Sequence, residues 1–362
     1  MNFKCGIIGL PNAGKSTLFN SLIKENLKIA NFLLYKIKPN IGTIIIPDPR
    51  LNQLAEIVKP KYVSPATIKF IKISGLIKNS TPKWLENHFL KKIHKVQIIN
   101  HVIRCFEDHK TIYNNKTRHL CPTRDIDIVN TELIFSDLET CQRAIQQIKK
   151  LSSSSDISSE FTLSVLEKCF SHLNSIGMLR LFNLTEEEKN AIRHLKFLTL
   201  KPMLYIANVN QDGFDNNPYL REVYNIAVRE KSSVIAVCAK TKPDNDTKHN
   251  GREYKEDFML QNSFQNCIIS ASYKLLNLKT YFTTGVKEVR AWIAPINTTA
   301  IQSAEKIHTD LKKGFIRAKI IAFSDFILYK GEHGAKKAGR VYFEGKDYII
   351  KDGNIVYFLF KI

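Results

Sequence analysis

The chain has 362 residues, 44% hydrophobic and 24% charged, a globular mix long enough for two or three domains. No apolar run reaches the roughly 20 residues a membrane span needs. Residues 1–15 carry Lys4 and Lys15 but no long apolar core, and the seven cysteines form no C-x-x-C pair or zinc-spaced cluster; the expectation is a cytoplasmic protein with reduced thiols and no membrane contact. The net charge of +20 suits an RNA-rich partner. It suits equally a compositional drift toward the Lys, Ile and Asn that AT-rich codons specify.

The apolar run Lys4-Cys5-Gly6-Ile7-Ile8 reads as a strand. It leads into Gly9-Leu10-Pro11-Asn12-Ala13-Gly14-Lys15-Ser16-Thr17, behind which residues 17–24 read as a helix. Strand, glycine loop and helix with G-x-x-x-x-G-K-S spacing form the context of a phosphate-binding loop. The glycines let successive N–H groups turn inward onto phosphate oxygens. The helix start adds unpaired N–H groups and the positive end of its dipole. Asn12, Ala13, Gly14, Lys15, Ser16 and Thr17 are thus the candidate phosphate-binding residues. Lys15 is the candidate catalytic group, reaching the terminal phosphates, and the Ser16 hydroxyl is the candidate Mg2+ ligand.

Strand-like and helix-like stretches then alternate: strand 42–46, a turn at Pro47-Asp48-Pro49, helix 50–58, strand 68–73, helix 86–96 and strand 101–106. This alternation predicts a parallel α/β sheet. Residues 107–124 have no period and read as a loop. Ile134, Leu138, Cys141, Ile145 and Ile148, then Leu163, Leu166, Phe170 and Leu173, form heptad-type stripes separated by Ser152-Ser153-Ser154-Ser155-Asp156. They predict two antiparallel helices in a coiled-coil hairpin, although two amphipathic helices laid on the main core would carry the same stripes. Thr185-Glu186-Glu187-Glu188 predicts a capping box.

The α/β pattern resumes with strand 203–209, helix 218–230, strand 233–238 and helix 267–276, with a polar loop at 239–256. Residues 279–362 read as a small β-rich domain. Asn208-Val209-Asn210-Gln211-Asp212 ends a strand and is the candidate base-reading loop, with Asn208, Val209 and Gln211 as base contacts. Gln211 replaces the carboxylate that takes the N1 and N2 protons of guanine in an N-K-x-D loop. Its amide can also pair with the donor and acceptor edge of adenine, so strict guanine selectivity is not expected. Val237-Cys238-Ala239-Lys240 is a candidate backing loop, weak by itself.

Together these stretches resemble the YchF type of Obg-like P-loop ATPase/GTPase, nearly end to end. Residues 3–12, Pro47-Asp48-Pro49-Arg50-Leu51, Tyr205-Ile206-Ala207-Asn208-Val209-Asn210 and Tyr273-Lys274-Leu275-Leu276-Asn277-Leu278 carry the likeness. So do Gly285-Val286-Lys287-Glu288-Val289-Arg290-Ala291-Trp292, Lys306-Ile307-His308-Thr309-Asp310 and Gly314-Phe315-Ile316-Arg317-Ala318. The resemblance implies an α/β, GTPase-like P-loop NTPase domain at 1–124 and 201–278. It implies a helical coiled-coil insertion at 125–200 and a C-terminal β-grasp TGS domain at 279–362. It also implies ATP as substrate in preference to GTP, Mg2+ and K+ as cations, and binding to the ribosome (large subunit or 70S) through ribosomal RNA and proteins. A monomer is expected.

The chain also departs from the family pattern. The threonine of the first switch is Lys36, and the aspartate of D-x-x-G is Lys72, within Lys72-Ile73-Ser74-Gly75. The glycine-rich second switch reads Thr81-Pro82-Lys83-Trp84-Leu85-Glu86-Asn87, and a family histidine aligns with Tyr113. The water-positioning glutamine of other GTPases is Leu76, so no residue stands out as a general base. A lysine cannot ligate Mg2+ while charged, and lost glycines stiffen a loop that must close. The expected activity is ATP binding with slow hydrolysis. The alternatives are a nucleotide-binding ribosome-interaction protein that does not hydrolyse, and a GTPase.

Overall fold

A computed structural model describes residues 3–29, 40–73, 83–107, 120–151, 157–240 and 264–361. The chain opens with β1 (Lys4–Ile8), α1 (Lys15–Ile29), β2 (Ile41–Ile45), α2 (Pro49–Val58), β3 (Tyr62–Ser64), β4 (Thr67–Lys72), α3 (Lys83–His94) and β5 (Ile98–Arg104). The predicted turn at 47–49 is the start of α2: Asp48 caps it by accepting from the Arg50 amide, and Pro49 takes the first turn, where a missing N–H costs nothing. β5 stops at Arg104, two residues short of the predicted strand end, which leaves Phe106 outside the sheet.

The helical insertion follows, with α4 (Pro122–Leu151), α5 (Ile157–Asn174) and α6 (Glu186–Ile192). α4 starts inside the stretch read as loop. Its first turns carry Ile126, Val129 and Leu133 into the core beneath the sheet. Its later turns carry Ile134, Cys141 and Ala144 against Val165, Leu166, Cys169 and Leu173 of α5. Leu179, Leu184, Ile192 and Phe197 join that second core, so the striped helices are closed over by the segment that follows them. The predicted capping box between Thr185 and Glu188 is formed.

The chain returns with β6 (Met203–Asn208), α7 (Pro218–Arg229), β7 (Ser233–Val237) and α8 (Phe264–Leu275). The first sheet has the order β2-β4-β1-β5-β6-β7, parallel except for β2, which runs antiparallel to β4. Every residue of β5 and β6 is buried, as expected of central parallel strands covered on both faces. Strand order reverses at β1, with β4 on one side and β5 on the other. In open α/β sheets the crevice beyond the carboxyl ends of the strands at this point is where ligands bind.

The last part contains β8 (Leu278–Thr284), β9 (Glu288–Pro295), α9 (Ala300–Ile307), α10 (Thr309–Lys313), β10 (Phe315–Ile321), α11 (Phe323–Leu328), α12 (Glu332–Lys337), β11 (Tyr342–Glu344) and β12 (Ile355–Phe360). Its four short helices were not legible as such in the sequence. The second sheet has the order β11-β10-β12-β8-β9-β3. Its outer strand β3 comes from residues 62–64 and pairs in parallel with β9. The sheet therefore draws on both ends of the chain.

Candidate functional site

The loop after β1 lies at the strand-order reversal, and its shape follows from its glycines. Gly9 has φ 145°, and a Cβ there would stand 2.3 Å from the Val102 carbonyl oxygen of β5. Gly14 has φ 97°, and a Cβ there would stand 2.1 Å from the Asn208 side-chain nitrogen. Neither position admits another residue without moving backbone or Asn208. Asn12 also lies in the left-handed region, at φ 63°, which asparagine tolerates better than most residues.

Asn208, at the end of β6, joins two loops. Its Nδ2 donates to the Ala13 carbonyl at 3.0 Å, and its Oδ1 accepts from the Ala239 amide at 3.2 Å. Ser21 of α1 adds a bond to the Ala239 carbonyl at 3.3 Å. Between the two loops lies a cavity of about 290 Å³. Asn12, Gly14, Lys15, Ser16 and Thr17 line one end, and Phe106, Ala239 and Lys240 the other, with Asn208 between. Lys15 folds back over its loop, Nζ donating to the Leu10 carbonyl at 2.7 Å.

The cavity thus gathers five of the predicted phosphate-binding residues and Asn208. Ala13 is buried, with its carbonyl taken by Asn208. Val209 is buried, its amide bonded to the Val237 carbonyl at 2.8 Å. Gln211 is exposed on the following turn and does not line the cavity. Phe106 was missed as a site residue. The signal for it was an aromatic side chain just past the carboxyl end of a central strand at the strand-order reversal. The Lys240 ammonium stands 5.6 Å and the Arg104 guanidinium 5.8 Å from its ring centre.

The site is electropositive. Burial, and secondly the Lys72 charge, lower the Lys15 pKa to about 8. None of the described lining residues is a carboxylate. Lys72, at the end of β4, reaches the same corner: its Nζ lies 3.4 Å from Ser16 Oγ and 5.7 Å from the centre of the Phe19 ring. Lys36, Ser74, Gly75, Leu76, Thr81, Pro82 and Tyr113 lie outside the described residues.

P-loop hydrolases generally act on the Mg2+ complex of the nucleotide. At Ser16 the described residues fit that ion poorly. An ion ligated at about 2.1 Å by Ser16 Oγ would be at most about 5.5 Å from the Lys72 ammonium. A double and a single positive charge at that distance repel by about 6 kcal/mol at an effective dielectric of 20, and about 1.5 kcal/mol in bulk water. Among the described residues no group of three His, Cys, Asp or Glu side chains could hold a metal ion.

The chain is similar to known proteins along its whole length. Residues 4–135 match the family MMR_HSR1, described as "50S ribosome-binding GTPase", and residues 278–361 match YchF-GTPase_C, described as "Protein of unknown function (DUF933)". The chain is 52% identical over 367 residues to the "Ribosome-binding ATPase YchF" of Escherichia coli O157:H7, and 47% identical over 368 residues to that of Haemophilus influenzae. Both alignments cover 100% of each chain. Its fold is similar to the solved structure of the Schizosaccharomyces pombe YchF GTPase, with TM-score 0.82 and 30% identity over 99% of this chain and 98% of that one.

Proposed function

The chain belongs to the YchF family, and from that premise we propose that it is a ribosome-associated P-loop ATPase that binds ATP in the cavity between residues 12–17 and 239–240 and hydrolyses it slowly. The observation that carries this is Asn208, whose one amide group braces the phosphate loop at Ala13 and the opposite loop at Ala239. Residues 12–17 hold the phosphates, and Lys15 stabilises the charge that develops on the terminal phosphoryl group. Asn208 braces the base end of the cavity through Ala13 and Ala239, Val209 backs it from the core, and Phe106 with Lys240 flanks the ring by stacking and cation–π contact. With Gln211 in place of a carboxylate, and outside the cavity lining, the loop lacks the acceptor that selects guanine. K+ is the second cation of this reading, and Mg2+ at Ser16 is held weakly because of Lys72.

The helical insertion and the C-terminal sheet are the ribosome-facing parts, on the large subunit or the 70S particle. The order β8-β9-α9-β10, with β12 lying parallel beside β8, supports a β-grasp TGS reading for residues 279–362. The +20 charge adds attraction to ribosomal RNA. The protein acts as a cytoplasmic monomer.

Equilibrium ATP binding measured beside steady-state turnover tests the proposal. We expect saturable binding that a Lys15→Ala variant loses by at least about tenfold, and turnover low but above that variant. GTP should compete more weakly than ATP. Binding with turnover equal to that of Lys15→Ala would sink the hydrolase reading. It would leave the second one, a nucleotide-binding ribosome protein that does not hydrolyse, which the Lys72–Ser16 contact favours.

A further inference from the structure

The misfit between Mg2+ and its corner of the site has a second side. Lys72 is fixed there by its strand: its amide donates to the Asn40 carbonyl at 2.9 Å, it sits in register with Ile7 of β1, and the next amide, of Ile73, donates to the Ile7 carbonyl at 2.9 Å. The ammonium is steered by the Phe19 ring and shares only a long, 3.4 Å hydrogen bond with Ser16 Oγ. Among the described residues no other acceptor takes its remaining two N–H donors. It faces the hydroxyl that would ligate the metal, beside the loop whose N–H groups cradle phosphate.

We propose that the Lys72 ammonium takes the charge-neutralising place of the divalent cation, so that this chain binds the metal-free triphosphate of a nucleoside in preference to its Mg2+ complex. The inference rests on the reading of the cavity as a nucleotide site. An ammonium is a compact, strongly hydrated point charge, which suits it to phosphate oxygens. With Lys15 it sets two positive charges against the terminal phosphates. The Lys72 charge, which after burial is the second cause of the lowered Lys15 pKa, is offset when a polyanion lies between the two lysines. Mg2+ bound to the same oxygens would bring a double positive charge against Lys72 and lose part of its affinity.

The test is the dissociation constant of ATP for the full chain, measured calorimetrically in excess EDTA and in millimolar Mg2+. Wild type should bind more tightly in EDTA than in Mg2+, by up to about tenfold. Lys72→Ala should bind at least about tenfold more weakly in EDTA. Lys72→Asp should lose binding in EDTA and regain it with Mg2+, since the carboxylate can orient a metal-bound water. Circular dichroism and melting temperature confirm that the variants fold; if Lys72→Asp does not, wild type and Lys72→Ala still decide. Wild-type binding as tight or tighter in Mg2+ than in EDTA, or Lys72→Ala binding unchanged in EDTA, overturns the inference and leaves the nucleotide site standing. A folded chain with no saturable ATP binding in either buffer overturns both.

Discussion

At the scale of residues, the polar side chains under the phosphate loop differ in what they find there. Asn208 uses both ends of its amide and holds two loops at a fixed distance. His101, in β5, is wholly buried, and neither ring nitrogen has a hydrogen-bond partner among the described residues. Burial first, then the Lys15 and Arg180 charges, push its pKa down to about 3. The fold therefore holds neutral imidazole, while the unfolded chain takes up a proton near pH 6.5. A depressed histidine contributes stability that is present above about pH 6.5 and lost as pH falls from there toward 3. Between pH 7 and pH 5 the loss from His101 alone is about 2 kcal/mol. Urea unfolding of wild type and His101→Leu at the two pH values reads it. The variant should lose about 2 kcal/mol less than wild type on acidification, and equal losses would refute the assignment.

At the scale of elements, what the sequence made legible follows from how local the signals are. The phosphate loop is read from nine consecutive residues because its job is done by consecutive N–H groups. The buried runs of β1, β5 and β6 and the stripes of α4 and α5 are equally local. β3 is three residues long and exists through its pairing with β9, more than 200 positions later, so no local pattern marks it. The C-terminal helices of five to eight residues are too short to show a period. Phe106 gained meaning only once β5 was seen to end at Arg104 and residues 239–240 to come round opposite it.

α4 likewise has a role that its stripe does not disclose. Its 30 residues run from the core under the sheet to the core shared with α5. Where the cores meet, buried Asp137 accepts from the Leu198 amide at 2.8 Å, the Thr199 amide at 2.7 Å and the Thr199 hydroxyl at 2.6 Å. Burial raises its pKa to about 6 despite those three donors, so it is largely ionised at neutral pH. Asp137→Asn sets an N–H group against donors and should cost about 2–3 kcal/mol in urea unfolding at pH 7. A change under about 0.5 kcal/mol would show that the carboxylate is not what joins the insertion to the sheet.

At the scale of the whole molecule, the two sheets are not separate bodies. One core cluster includes Ile44, Leu51 and Leu54 from the first part of the chain and Phe282, Val289, Ile321, Phe326 and Ile355 from the last. Arg50 crosses the same boundary. Its Nε and Nη2 bond the Asp48 carboxylate at 3.0 and 2.8 Å, its Nη1 reaches Asp352 at 2.6 Å, and its guanidinium lies 5.2 Å from the centre of the Phe282 ring. Asp352 in turn accepts from the Thr280 amide of β8 at 2.8 Å. The Asp48 side chain is only 3% exposed, so removing its guanidinium leaves a buried carboxylate with fewer partners. Arg50→Met keeps much of the packing against Phe282 and deletes the charge, which should cost roughly 2–4 kcal/mol, discounted toward the lower end because Asp352 is half exposed. Because the link and the core are shared, calorimetry should record a single transition for wild type and a single, lower one for Arg50→Met. Two resolved transitions in wild type would mean that the C-terminal sheet unfolds by itself and that the shared core does not couple it to the nucleotide domain.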